Sequence, residues 1–209
     1  FGANTGNNDR SKEPGNQLAG IDLRWQFLDA PLAFYGQVVG EDEDKFFPNC
    51  LMFQYGIETW TNLKDSTLRI FAEYADLTST WWTDDPRTRN ISYGHHIYND
   101  GYRYRGRPIG HWADQDSRIL SFGGFLQKDD GVGWGAIFRS GDLNEDGGGR
   151  SSVSDGIAID YFSLDLFNTR QYPKKSLLVN TSIGWESLQP FGVPKEDGFS
   201  GFLSLTRVF

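Results

Sequence analysis

The feature that most constrains this chain is strict two-residue alternation over runs of strand length, the signature of strands with one apolar and one polar face. In NQLAGIDLRWQF, Ala19, Ile21, Leu23, Trp25 and Phe27 share one face, and Gly20, Asp22, Arg24 and Gln26 the other. LMFQYGIETW sets Leu51, Phe53, Tyr55 and Ile57 against Gln54, Gly56 and Glu58, and TLRIFAEYAD sets Leu68, Ile70, Ala72 and Tyr74 against Arg69 and Glu73. KSLLVNTSIGWES sets Leu177, Val179, Ile183 and Trp185 against Asn180, Ser182, Gly184 and Glu186. Fainter versions lie at Leu32–Val39, Ser117–Gln127, Gly131–Arg139 and Gly156–Phe167. The chain is therefore all-β, with about ten antiparallel strands in a single domain over residues 1–209.

A soluble β-sandwich with one wet face per sheet alternates in the same way. Two observations favour a transmembrane β-barrel. Several runs have the roughly 9–11 residues that a tilted strand needs to cross hydrocarbon. Aromatics also recur near their ends (Trp25, Phe27, Trp60, Tyr74, Phe138, Trp185), where an interfacial girdle lies. The polar faces carry Asp22, Arg24, Glu58, Arg69, Glu73, Arg139 and Glu186. A wet or plugged lumen accepts such charges and a dry core does not. The mean hydropathy of −0.52 is no objection, because only alternate residues of a barrel strand face lipid. The last strand, GFSGFLSLTRVF, puts Gly201, Leu203, Leu205 and Phe209 on one face, with Arg207 able to snorkel from that series. One cysteine excludes an internal disulfide. The opening FGANTGNNDRSKEPG reads as a polar loop entered midway, so the N-terminus is taken as mature or cut.

From Leu77 to Asp116 the alternation stops. A connection this long is functional or disordered, and seven aromatics between Trp81 and Trp112 argue against disorder. In a barrel it is a long extracellular loop, residues 77–116. Five arginines against three aspartates between Asp84 and His111 make it locally positive on a chain of net charge −8. If YRYRGR is extended, Tyr102 and Tyr104 fall on one side and Arg103 and Arg105 on the other. Arg forks bind carboxylates bidentately, and flat aromatic faces suit sugar rings. An acidic polysaccharide uses both. The predicted carbohydrate-binding residues are Tyr98, Tyr102, Tyr104 and Trp112 for stacking and Arg103, Arg105 and Arg107 for carboxylates; His96, His111 and Asp116 are expected to shape the loop. Against this stands a reading in which the arginines are struts that pair with lumenal acids. The acidic balance opposes a nucleic-acid partner.

Other motifs are weaker. His95, His96 and His111 lack any helical metal-ligand spacing. GDLNEDGGG opens like a calcium loop at Asp142, Asn144, Asp146 and Gly147, but its twelfth position is Val153, so it reads as a solvated hairpin turn. No metal, no cofactor and no catalytic residue is expected. Two other functions stay open: a carbohydrate-active enzyme using a pair of lumenal carboxylates roughly 5–10 Å apart, and a passive channel.

The segments NQLAGIDLRWQF, FYGQVVGEDE, RIFAEYADL and YGHHIYNDGYRYRGRPIGHWADQDS, in this order, resemble the Wzi family of capsule assembly proteins. The resemblance is densest over residues 16–126. It implies a lectin-like β-barrel in the outer membrane of a Gram-negative bacterium, in contact with outer-membrane lipid, that helps to attach capsular polysaccharide to the cell surface. The acidic character of the polymer is the expectation from the arginine–tyrosine loop, and capsule export machinery is a further expected partner. Such barrels have about eighteen strands, so the chain looks like the C-terminal portion of one.

Overall fold

The computed structural model describes residues 18–41, 43–44, 47–48, 50–79, 89–94, 101–149 and 151–207. The chain forms β1 (Leu18–Gln26), β2 (Leu32–Glu41), β3 (Glu43–Asp44), β4 (Phe47–Pro48), β5 (Leu51–Leu63), β6 (Ser66–Asp76), β7 (Arg103–Tyr104), β8 (Arg107–Pro108), β9 (Arg118–Lys128), β10 (Val132–Leu143), β11 (Ile159–Tyr172), β12 (Leu177–Pro190) and β13 (Glu196–Arg207). Nine of these make one sheet in the order β1-β2-β5-β6-β9-β10-β11-β12-β13, each strand antiparallel to its neighbours. Among the described residues, the minute hairpins β3–β4 and β7–β8 stand outside it.

Register turns the alternation into two chemically distinct surfaces. One cross-strand row runs Trp25, Phe34, Ile57, Ala72, Phe122, Phe138, Leu164, Trp185, Phe199, apolar on every strand. The adjacent row runs Arg24, Tyr35, Gly56, Glu73, Ser121, Arg139, Ser163, Glu186, Gly198, polar or glycine throughout apart from the hydroxyl-bearing Tyr35. A one-residue slip at any pairing would exchange the faces of that strand, so the apolar pattern itself holds the register. The apolar surface is left open: Ile21, Trp25, Leu166, Ile183, Phe199 and Leu205 are all more than half exposed.

The two rims differ as well. The turns at 27–31, 64–65 and 129–131 and the 3-10 turn Pro173–Lys175 are tight, whereas the opposite rim carries the connections 77–117 and 144–158. That asymmetry belongs to outer-membrane barrels. The buried core sits at the long-loop rim and not along the sheet: Met52, Ile119, Leu143 and Ile159 from the strands meet Leu77, Tyr93 and Ala113 from the long loop. Hydrophobic burial thus glues the loop to the polar side of the sheet instead of gluing sheet to sheet.

Two expectations about the aromatic ends change. Trp60 pairs with Arg69 and so lies on the polar face. Phe138 falls mid-strand, because β10 runs on to Leu143 past the point where the apolar alternation fades.

Candidate functional site

The loop begins at Leu77, immediately beyond β6, and ends at Ser117, immediately before β9. Its described parts build a small scaffold around Tyr93. The backbone N–H of Tyr102 donates to the Tyr93 carbonyl (3.0 Å), Ile109 N–H donates to the Tyr102 carbonyl (3.0 Å), and His111 N–H donates to the Tyr93 hydroxyl (3.0 Å). Strands β7 and β8 are closed by Arg105 and Gly106, both at positive φ (52° and 75°), as a two-residue primed hairpin turn requires.

This turn decides what each arginine does. Arg103 points inward and makes four hydrogen bonds: Nε to Asp114 Oδ2 (2.8 Å), Nη2 to Asp114 Oδ1 (2.7 Å) and to Gln115 Oε1 (3.0 Å), and Nη1 to the Tyr93 carbonyl (2.9 Å). The pair is buried, with side-chain exposures of 5% and 0%. Arg103, expected to meet ligand carboxylates, has its fork engaged inside the loop. Arg105 and Arg107 are exposed, and the Arg105 guanidinium lies 5.4 Å from the centre of the exposed Tyr104 ring. Arg105 does not share a face with Arg103, because the segment turns at Arg105 instead of continuing extended. Tyr98 and His96 lie outside the described residues, as do His95 and the arginine at position 87.

The loop is also bolted to the 144–158 connection. Asp114 Oδ2 accepts from Ser152 N–H (2.7 Å), Asp116 Oδ2 from Asp146 N–H (3.0 Å), and Ser117 Oγ from Asn144 N–H (3.2 Å). Arg118 clamps Glu145 (2.7 Å) and Asp76 (3.3 Å) from the first position of β9. Within the GDLNEDGGG turn Glu145, Asp146, Gly148 and Gly149 are exposed, but Asn144 is fully buried, with its side-chain amide donating to the Gly148 carbonyl (2.9 Å). Burial raises the Asp114 carboxyl, but hydrogen bonds from Arg103 and Ser152 outweigh it and hold the group below its ordinary range. Burial pushes Asp116 up, and the Asp146 N–H only partly offsets it.

His111 and Trp112 lie against the polar face and separate two cavities that both residues line. The first, of about 590 Å³, is bounded by Arg24, Tyr35, Glu58, Arg69, Glu73 and Phe125 among others. The second, of about 630 Å³, is more apolar, with Leu18, Val39, Met52, Tyr93 and Tyr102 in its wall. Trp112 is 39% exposed; its ring centre stands 5.2 Å from that of Tyr161 and 5.9 Å from the Arg139 guanidinium. His111 Nδ1 accepts from Ala113 N–H (3.3 Å), and burial, reinforced by Arg139 and opposed by Glu73, keeps its imidazole below the usual value. Tyr102 packs on Tyr93 with ring centres 6.1 Å apart.

The floor of the first cavity escaped the sequence reading. Glycines on the polar face leave hollows that rings from neighbouring strands fill: Tyr35 over Gly56, Phe71 over Gly123 and Phe125 over Gly135, each within 2.6 Å of where a β-carbon would stand. Phe71 and Phe125 lie nearly parallel (11°) at 6.2 Å. Glycine opposite an aromatic on a polar strand face was the signal available. Beside this floor, Glu58 is 3% exposed and held by two guanidinia, Arg24 through Nε (3.0 Å) and Nη2 (2.5 Å) on one oxygen, Arg69 through Nε (2.7 Å) and Nη2 on the other.

An antiparallel sheet with an exposed apolar face, a polar face and long loops folded over one rim defines the wall and plug of a β-barrel. The chain belongs to the family described as capsule assembly protein Wzi, whose model matches residues 1–196. Wzi of Escherichia coli, described as an outer membrane protein involved in group 1 capsule assembly and as a carbohydrate-binding β-barrel, shares the fold with a TM-score of 0.77 and 26% identity. The match covers 90% of this chain and 41% of that one. A Klebsiella pneumoniae protein described as an uncharacterized 55.8 kDa protein in the cps region is 49% identical over 55 residues, 25% of this chain and 11% of that protein. The chain therefore spans less than half the length of these relatives.

Proposed function

We propose that this chain is part of an outer-membrane β-barrel of a Gram-negative bacterium that binds acidic surface polysaccharide at its mouth and so helps to assemble the capsule. The observation that carries this reading is the division of labour in the β7–β8 hairpin. Arg103 is buried on Asp114, and this anchor presents Tyr104, Arg105 and Arg107 to solvent at the long-loop rim. An exposed aromatic flanked by two unburied guanidinium forks matches a chain of flat sugar rings bearing carboxylates. Trp112 offers a second ring further in. The open apolar row would face lipid, in keeping with strands of nine to fourteen residues.

Binding without a chemical step is favoured over hydrolysis. Of the two carboxylates lining the first cavity, Glu58 has both oxygens engaged by guanidinia, which leaves Glu73 without a free carboxyl partner among the lining residues described. A passive channel would keep its polar face clear, whereas His111 and Trp112 lie against it.

The test is binding of the full chain in detergent to acidic polysaccharide extracted from the producing cell, with neutral dextran as control, comparing wild type with the double variant Arg105→Ala/Arg107→Ala. Saturable binding to the acidic polymer, weakened by salt and much reduced in the variant, is the expected result. Equal binding by both proteins would remove the hairpin tip from the site.

A further inference from the structure

We infer that the cavity beneath Trp112 is a lumenal subsite for a single carboxylated sugar residue, distinct from the exposed hairpin tip; this rests on the polysaccharide-binding reading above. Four features converge there. The floor is aromatic and flat, because Tyr35, Phe71 and Phe125 are laid down on Gly56, Gly123 and Gly135. Trp112 from the loop adds a further ring to the lining. The volume, about 590 Å³, falls within the range of about 300–1,000 Å³ that small ligands occupy. The charge is arranged for an anion: Glu58 answers two guanidinia at once, so Arg24 and Arg69 together carry one positive charge in excess.

The geometry of that pair matters as much as its charge. Each arginine reaches Glu58 through Nε and Nη2, which leaves the Nη1 edge of both forks directed elsewhere, and both side chains are about half exposed (51% and 55%). A buried carboxylate therefore fixes two half-free forks in place, and a pre-positioned fork loses little entropy when it takes a second carboxylate. Glu73, which accepts from the Tyr35 hydroxyl (3.1 Å), opposes a bare anion but supplies an acceptor for sugar hydroxyls. Arg139 is already committed to Asp165 (2.6 Å) and adds less. A uronic acid, with one carboxylate, several hydroxyls and a flat carbon face, fits this set; a phosphate or sulfate has no use for the aromatic floor, and a neutral sugar has none for the arginines.

The experiment measures binding of trigalacturonate and of maltotriose to the full chain in detergent by calorimetry. The proteins are wild type, Arg24→Lys/Arg69→Lys, Gln54→Trp and Arg105→Ala/Arg107→Ala. The lysine pair keeps the charge on Glu58 while removing the forks; Gln54→Trp fills the cavity from its wall without touching an arginine. Trigalacturonate should bind wild type, maltotriose much more weakly, and the drop in the hairpin-tip variant should be smaller than in either cavity variant. Affinity should fall about tenfold or more in both cavity variants, the loss expected when charge-assisted hydrogen bonds go. If the acidic polymer binds wild type while the trisaccharide binds wild type and both cavity variants equally, or binds none of them, the subsite is overturned and the hairpin-tip reading is judged by the polymer comparison above. If wild type binds neither polymer nor trisaccharide, both fall.

Discussion

Asp114 and Asp116 stand two residues apart in the loop, both fully buried, yet only Asp114 faces a guanidinium at ion-pair distance among the described residues. Their carboxyls are displaced in opposite directions, Asp114 down and Asp116 up. A group with a depressed folded value stabilises the fold above its unfolded value, and that stability disappears as pH falls through the folded value. Asp114→Asn should therefore loosen the loop at neutral pH by about 3–5 kcal/mol, because Arg103 is left buried without its partner. Wild type should approach the variant only in strong acid. Hydrogen exchange of the amides of residues 101–117, corrected for intrinsic rates, measures this directly.

Asp116 carries the opposite sign. Its folded value is raised, so its contribution is favourable in acid and lost as pH rises through that value. One oxygen accepts from Asp146 N–H and the other, Oδ1, has no hydrogen-bond partner among the described residues. Asp116→Asn keeps the acceptor and removes the buried charge. It should tighten the loop at pH 7 by about 1–3 kcal/mol, the scale of a buried unsatisfied group, and give no gain in acid, where both side chains are neutral. Loosening at pH 7 would show that the carboxylate is held by charge after all.

Gly101 sits at φ +55°, and a β-carbon there would lie 1.9 Å from the Tyr93 carbonyl oxygen, the acceptor for both Tyr102 N–H and Arg103 Nη1. Gly101→Ala must push these apart, so it should cost well over about 1 kcal/mol and expose the loop to protease. Gly106 is the control: its φ is +75°, but nothing lies within 4 Å of its missing β-carbon. Gly106→Ala should cost only about 1 kcal/mol of turn strain and leave the protease pattern unchanged.

The three arginines of YRYRGR make a further prediction and mark where the sequence ceases to be legible. Arg103→Ala should destabilise the loop by about 3–5 kcal/mol through the orphaned Asp114. Arg105→Ala/Arg107→Ala should stay within about 0.5 kcal/mol of wild type in urea titration, as exposed sites do. Alternation told none of them apart, because the partner of Arg103 is eleven residues away and the primed turn that re-aims Arg105 depends on two positive φ angles. The strands were readable for the converse reason: a period-2 pattern is local, and it placed Arg24, Glu58, Arg69 and Glu73 on the polar face and bounded the loop to within a residue of β6 and β9. The junction of Asp116 and Ser117 with Asp146 and Asn144 joins segments about thirty residues apart, and no local pattern announces it.

The assignment of faces can itself be tested. Leu166 pairs with Ala136 and Ile183 on the apolar surface and is 51% exposed, while Ser182 pairs with Phe167 and Phe202 on the polar surface. An arginine on the lipid side of a barrel costs about 2–4 kcal/mol near the bilayer midplane, and one in the lumen costs little. When the full chain is folded into phosphatidylcholine vesicles and titrated with urea, Leu166→Arg should lower the unfolding midpoint and Ser182→Arg should leave it nearly unchanged. In a soluble sandwich the polar surface would be the wet one and the apolar surface the buried one, so Leu166→Arg would abolish folding in plain buffer as well as in vesicles. A chain that folds without lipid or detergent, and is disabled there by Leu166→Arg, would overturn the membrane reading.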